Sequence, residues 1–229
     1  ELGVEILATG DALVFQNIEI TNLLCNADNT GAIRVNISGG EGNYTFNWSP
    51  MASDTTALDS LAAGTYSLTV TDEVGIQIDT TLIISEPDVM DTQVNNLMDS
   101  DCGSNCNGMI DLSVVNGAPQ LMIEWSNGAD SGLLEDLCAG IYVATVTDAN
   151  GCIMITSATV LEPMALGANT SVTNVPCTGG FSGAVGLTVT GGTSPFTYTW
   201  NNSDSTEDLT GVGAGTYTVT STDANGCTT

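Results

Sequence analysis

Lysine and histidine are absent from this 229-residue sequence, and arginine occurs once, at Arg34, against 27 aspartates and glutamates, for a formal net charge of −26. A surface of that sign repels phosphate backbones and anionic lipid headgroups, so nucleic acid and membrane surfaces are poor partners and divalent cations are the natural counterions. Without imidazole or ammonium groups, the usual general bases near neutral pH, Schiff-base amines and phosphate-binding amines are missing too. Catalysis is left with carboxylate chemistry or a thiol lacking its imidazole. The seven cysteines include no Cys-x-x-Cys pair, and without histidine they point to disulfides rather than zinc. Disulfides imply an oxidising, extracytoplasmic compartment. No apolar run is long enough to span a bilayer, and with no signal peptide at Glu1 the chain reads as mature or excised material.

What is present is a repeat. Trp48, Trp125 and Trp200 recur at intervals of 77 and 75 residues, and Tyr66, Tyr142 and Tyr217 at 76 and 75. The turns ending at Gly75, Gly151 and Gly226 keep that step, as do the pairs Glu86-Pro87 and Glu162-Pro163. Three tandem copies follow. Within each, apolar residues alternate with period two, the mark of half-buried strands. One strand carries Ile33, Val35 and Ile37, matched by Ile110, Leu112 and Val114 and by Val185, Leu187 and Val189. The next points Tyr44, Phe46 and Trp48 inward, matched by Leu121, Ile123 and Trp125 and by Phe196, Tyr198 and Trp200. A polar crossover with Leu58 and Leu61 leads to a strand with Tyr66, Leu68 and Val70, then to an Asp-x-x-Gly turn and a last strand ending at Glu-Pro. Short strands, Gly-rich turns and no helical periodicity predict an all-β chain of three tandem immunoglobulin-like antiparallel β-sandwich repeats in an elongated array.

The frame of the repeat predicts domains at 11–87, 88–163 and 164–229. Residues 1–10 fall where the last strand of a preceding copy belongs, and the third copy lacks its own last strand. The chain is then a window on a longer array, or residues 1–10 are a donor strand that completes the open sandwich of another chain.

Cys25, Cys102 and Cys177 share one position early in each copy, and Cys152 and Cys227 share a second just after the turn, where copy one has Ile76. Pairing within copies joins Cys102 to Cys152 and Cys177 to Cys227, leaving Cys25 as a buried free thiol, an intermolecular crosslink or a bond to a neighbouring copy. Cys106 and Cys138 occur only in copy two and form a third pair. The turn itself, Thr-Asp-Ala-Asn-Gly-Cys at 147–152 and again at 222–227, offers Asp148, Asn150, Asp223 and Asn225 as calcium-ligand candidates. Neither turn continues into the further oxygen ligands and twelfth-position Glu of an EF-hand loop, which favours a structural turn built on Asn-Gly and leaves no assigned cofactor. Glu86 and Glu162, each before a proline, are expected at junctions between copies. Asn-x-Ser/Thr triplets start at Asn36, Asn43, Asn47, Asn169 and Asn201.

The joint motif set resembles the SprB repeat of Bacteroidetes cell-surface proteins. It is carried by Gly-Gly-Thr-Ser-Pro-Phe-Thr-Tyr-Thr-Trp at 191–200, Ala-Gly-Thr-Tyr-Thr-Val-Thr at 214–220 and the two Thr-Asp-Ala-Asn-Gly-Cys turns, with Ser38-Gly39-Gly40 and Ala63-Gly64-Thr65-Tyr66 in copy one. The resemblance implies a long repetitive adhesin exported by type IX secretion, some of whose relatives serve gliding as surface filaments. It implies no enzyme activity and carries over no binding residue. On this reading the chain is a non-catalytic spacer or filament segment at the cell surface, whose partners are neighbouring repeats or copies of the same protein. A calcium-dependent or glycan-binding adhesion module is the alternative; glycan binding would need exposed aromatics in a groove, whereas most aromatics hold inward strand positions, with Phe181 the main exception.

Overall fold

The computed structural model of the chain describes residues 11–103, 105–176 and 180–229. Every regular element among them is a strand, and the strands form six small sheets. The expected strand at 1–10 lies outside the described residues, as does Cys177. The chain divides into two compact units.

The first unit holds Glu1–Asp91 together with Val115–Leu121 and Thr147–Met154. Strands β1 (Val14–Thr21), β2 (Gly31–Ser38) and β4 (Ala57–Leu61) make one sheet in the order β1-β2-β4. Strands β3 (Thr45–Ser49), β5 (Gly64–Thr71) and β6 (Gln77–Ile84) make the other, in the order β3-β5-β6. Alternation does the sorting. In β2, Ile33 and Val35 are buried while Arg34 and Asn36 face solvent, and in β5 Tyr66, Leu68 and Val70 are buried between exposed or half-exposed neighbours. The two apolar faces meet in a single cluster that takes Ile33 and Val35 from β2, Leu58 and Leu61 from β4, Trp48 from β3, and Leu68, Val70, Leu82 and Ile84 from β5 and β6. Burying each aliphatic side chain contributes about 1.5–3 kcal/mol.

The second unit holds Thr92–Val114, Met122–Val146 and Ile155–Thr229. Strands β7 (Asp91–Met98), β8 (Gly108–Val115) and β10 (Leu133–Leu137) lie in the order β10-β8-β7, and β9 (Met122–Trp125), β11 (Gly140–Thr147) and β12 (Ile153–Val160) in the order β12-β11-β9. Their cluster repeats the first, with Ile110, Leu112, Trp125, Leu134, Leu137 and Ala144 in the matching places. Strands β13 (Gly167–Thr173), β14 (Gly183–Thr190) and β16 (Leu209–Val212) then form the sheet β13-β14-β16 beside the two-stranded sheet of β15 (Thr197–Trp200) and β17 (Val219–Thr222). Val185, Leu187, Trp200 and Leu209 make the cluster here.

Two polar contacts recur in all three copies and place each aromatic. The indole N–H of Trp48, Trp125 and Trp200 donates to the carbonyl of Thr55, Ser131 and Thr206, at 2.9, 2.8 and 2.9 Å. The hydroxyl of Tyr66, Tyr142 and Tyr217 donates to the carbonyl four residues upstream, in Ala62, Cys138 and Gly213. Each of these rings thus keeps its one polar atom hydrogen-bonded.

The structure departs from the alternation reading in three places. The polar crossover with Leu58 and Leu61 is itself a short strand, β4, antiparallel to β2. The segments before the cysteines form the strands β1, β7 and β13, which carry little apolar alternation because one face and much of the other stay exposed. Leu121, expected to point inward, is 41% exposed, because β9 begins only at Met122.

Candidate functional site

The twice-occurring turn is held by its aspartate. Asp148 Oδ1 accepts the N–H groups of Asn150 and Cys152, both at 2.9 Å, while Oδ2 accepts that of Ala118 at 3.0 Å. Asp223 repeats this with Asn225, Cys227 and Thr193, and Asp72 with Val74, Ile76 and Glu41. One carboxylate therefore closes its own turn and pins it to the Gly-containing turn that follows the first core strand of the same copy. Gly151 and Gly226 supply φ angles of +83° and +84° at the last turn position, where a side chain would be strained although nothing obstructs it. The side chains of Asp72, Asp148 and Asp223 are all buried. Burial alone would raise the Asp148 carboxyl. The N–H donors of Ala118, Cys152, Asn150 and Gly151 outweigh it and hold the group below the usual 3.8. For Asp223 the Thr193 N–H is the largest cause of the same downward shift.

This geometry gives the four calcium candidates other partners. Both oxygens of Asp148 and of Asp223 face N–H donors, whose positive ends disfavour a cation. The side-chain amides of Asn150 and Asn225 donate to the carbonyls of Leu24 and Asp101, at 3.2 and 2.8 Å. Among the described residues no group of three or more Cys, Asp or Glu side chains is arranged to hold a metal ion.

Leu24 and Asp101 belong to the preceding copy of the repeat, and the next residue in each case is a cysteine. Cys25 is bonded to Cys152 and Cys102 to Cys227, both with Cα atoms 5.6 Å apart. The expected bond from Cys102 to Cys152 is therefore replaced, Cys227 pairs with Cys102 instead of Cys177, and Cys25 is neither free nor intermolecular but takes the third reading, a bond to a neighbouring copy. Cys106 is bonded to Cys138. The physical reason is the aspartate clip. It turns the Asn-Gly-Cys tip away from its own copy, so that amide and thiol reach the loop after the first strand of the copy before. Each of these clasps lies inside one compact unit, the first in unit one and the second in unit two.

The receiving loops are preorganised. Asp28 accepts the N–H of Cys25 and of Thr30, and Glu86 Oε2 accepts that of Ala27 at 2.7 Å. Glu86 thus fixes the loop that bears Cys25. In copy two, Asp101 Oδ1 accepts the side-chain amide of Asn105, and the Ser100 hydroxyl donates among the carbonyls around Cys102, 2.6 Å from that of Asn105. Copy one has no clasp of its own to offer, because its turn carries Val74 and Ile76 in place of Asn and Cys, 60% and 56% exposed.

A chain of two-layer β units that grip their neighbours through matching turns defines a tandem-repeat β protein. The family model described as the SprB repeat matches residues 17–53 and 169–205, two segments offset by twice the 76-residue step. These two segments match the SprB repeat, the family that the motif set of the chain resembles. No curated protein matches it in sequence. Among solved structures it is similar to the surface layer protein SbsC, domains 1–6, at 13% identity and a TM-score of 0.30, covering 93% of this chain and 38% of that one. A Bacteroides ovatus mixed-linkage glucan utilization protein, SGBP-B, in complex with a mixed-linkage heptasaccharide, is similar at 15% identity and a TM-score of 0.24, over 96% of this chain and 67% of that one. At these scores neither likeness carries an inference, and the chain spans little more than a third of the S-layer structure's length.

Proposed function

We propose that the chain is a non-catalytic spacer segment of a secreted cell-surface protein, built of three immunoglobulin-like sandwiches at 11–87, 88–163 and 164–229, which serves adhesion or gliding by carrying tension from repeat to repeat. The observation that carries this reading is the clasp. The same aspartate-clipped turn, asparagine amide and cysteine join one copy to the copy before it at two successive junctions. A repeat that invests its most specific turn in its neighbour is built to transmit force, and the tyrosine and tryptophan anchors of each copy support the immunoglobulin-like assignment. The SprB matches and the disulfides support an extracellular surface location. Antibodies raised against the segment should label intact, unpermeabilised cells of the source organism, and brief protease treatment of those cells should remove the label. Labelling that requires lysis would overturn the reading.

A further inference from the structure

The clasps do more than join neighbours, because the loops they close overlap. One bond closes residues 25 to 152 and the other residues 102 to 227, so the stretch from 102 to 152 belongs to both, and Cys106–Cys138 lies inside that shared stretch. Bonds made within copies would close loops lying side by side. We propose that this overlap makes the segment a length-limited tether, one that extends to only about a fifth of its chain length even after every sandwich has unfolded.

The limit follows from connectivity alone. Tension runs along the shortest covalent route: from Glu1 to Cys25, across to Cys152, back along the chain to Cys138, across to Cys106, back to Cys102, across to Cys227 and on to Thr229. That route uses 24, 14, 4 and 2 residue steps, 44 of the 228 in the open chain. At about 3.5 Å per step, with a few ångström for each disulfide, the fully unfolded contour is about 170 Å instead of about 800 Å. Part of the route runs backwards, which is how the overlap shortens it beyond what either loop achieves alone.

The same connectivity resists scission. A single backbone cut anywhere between Cys25 and Cys227 leaves the two pieces joined, since every position in that span lies inside at least one of the two large loops. A strand at the cell surface then survives both overload and a first proteolytic nick without losing what lies beyond it. The tether is independent of the location proposed above, because pulling reads connectivity and not where the protein resides.

Single-molecule pulling between handles at the two chain ends tests this by reading the final contour length. The oxidised chain should stop at about 170 Å, the Cys106→Ser, Cys138→Ser double variant at about 280 Å, and the chain treated with dithiothreitol at about 800 Å. An oxidised contour of about 350 Å or more overturns the proposal, since loss of either large loop gives at least that length. A value near 460 Å would identify the reason as pairing within copies, Cys102 to Cys152 and Cys177 to Cys227.

Discussion

Ser221 occupies the strand position that Val70 and Val146 hold in the other two copies, and all three are fully buried. Its hydroxyl has no hydrogen-bond partner among the described residues. A buried hydroxyl without a partner costs free energy that a methyl group does not, so Ser221→Val should stabilise the protein by about 1–2 kcal/mol in urea titrations, with the denaturant slope unchanged. A lower midpoint would show that the third core has no room for the valine that the first two accommodate. The aspartate clips act through charge. Asp72, Asp148 and Asp223 are held below the usual carboxyl value of 3.8 in the fold, so the stability they confer is complete above that value and is lost as pH falls through the folded one. Melting temperature should hold steady down to about pH 5 and decline below about pH 4. Asp148→Asn should lower it at neutral pH more than Asp54→Asn on the surface does, and should make the acid decline shallower. Equal acid profiles for wild type and Asp148→Asn would show that the clip does not depend on charge.

At the scale of elements, the strands that fill the cores were legible and the connections between copies were not. Ile33, Leu68 and their counterparts alternate because one face of each strand is buried, and that periodicity is written in the sequence. β1, β7 and β13 are edge strands with little burial, so they leave almost no such trace. The cysteine pairing was undetermined for a different reason. Pairing within copies leaves Cys25 over and pairing across copies leaves Cys177 over, so counting cannot choose between them. A usable signal did exist: Asn150 and Asn225 accompany Cys152 and Cys227, and copy one loses both together, at Val74 and Ile76. Residues kept or lost as a pair serve one contact, and that contact is with the copy before. The sole arginine offers a direct check on the bond from Cys25 to Cys152. In urea without reductant, with free thiols blocked, trypsin has one site, after Arg34, which separates Cys25 from Cys152 along the backbone. The cut chain should migrate as one species until a thiol is added and then lose its first 34 residues. Release of that fragment before reduction would mean that Cys25 has no partner.

For the molecule as a whole, the dominant feature is charge of one sign. Twenty-seven acidic side chains share an accessible surface of 13883 Å², one for roughly each 500 Å², which sets their mean spacing at about 20–25 Å. Arg34, paired with Asp59 at the surface, neutralises one of them and contributes at most about 1 kcal/mol. At that spacing a pair of charges repels by about 0.2 kcal/mol in unscreened water. The Debye length is about 30 Å at 0.01 M salt and about 10 Å at 0.1 M, so neighbouring carboxylates feel one another at the lower concentration and scarcely at the higher. Unfolding spreads the charges and relieves the repulsion. Melting temperature should therefore rise with sodium chloride mainly between about 0.01 and 0.1 M and level off beyond. Calcium and magnesium at matched ionic strength should raise it equally, because they act as counterions to a diffuse field while the turn aspartates are already engaged by backbone N–H groups. A rise specific to calcium would mean that the carboxylates outside the clips converge on a site after all. Because the disulfides and clips are short-range and the repulsion is long-range, the salt response should keep the same shape in the reduced chain, displaced to lower temperature.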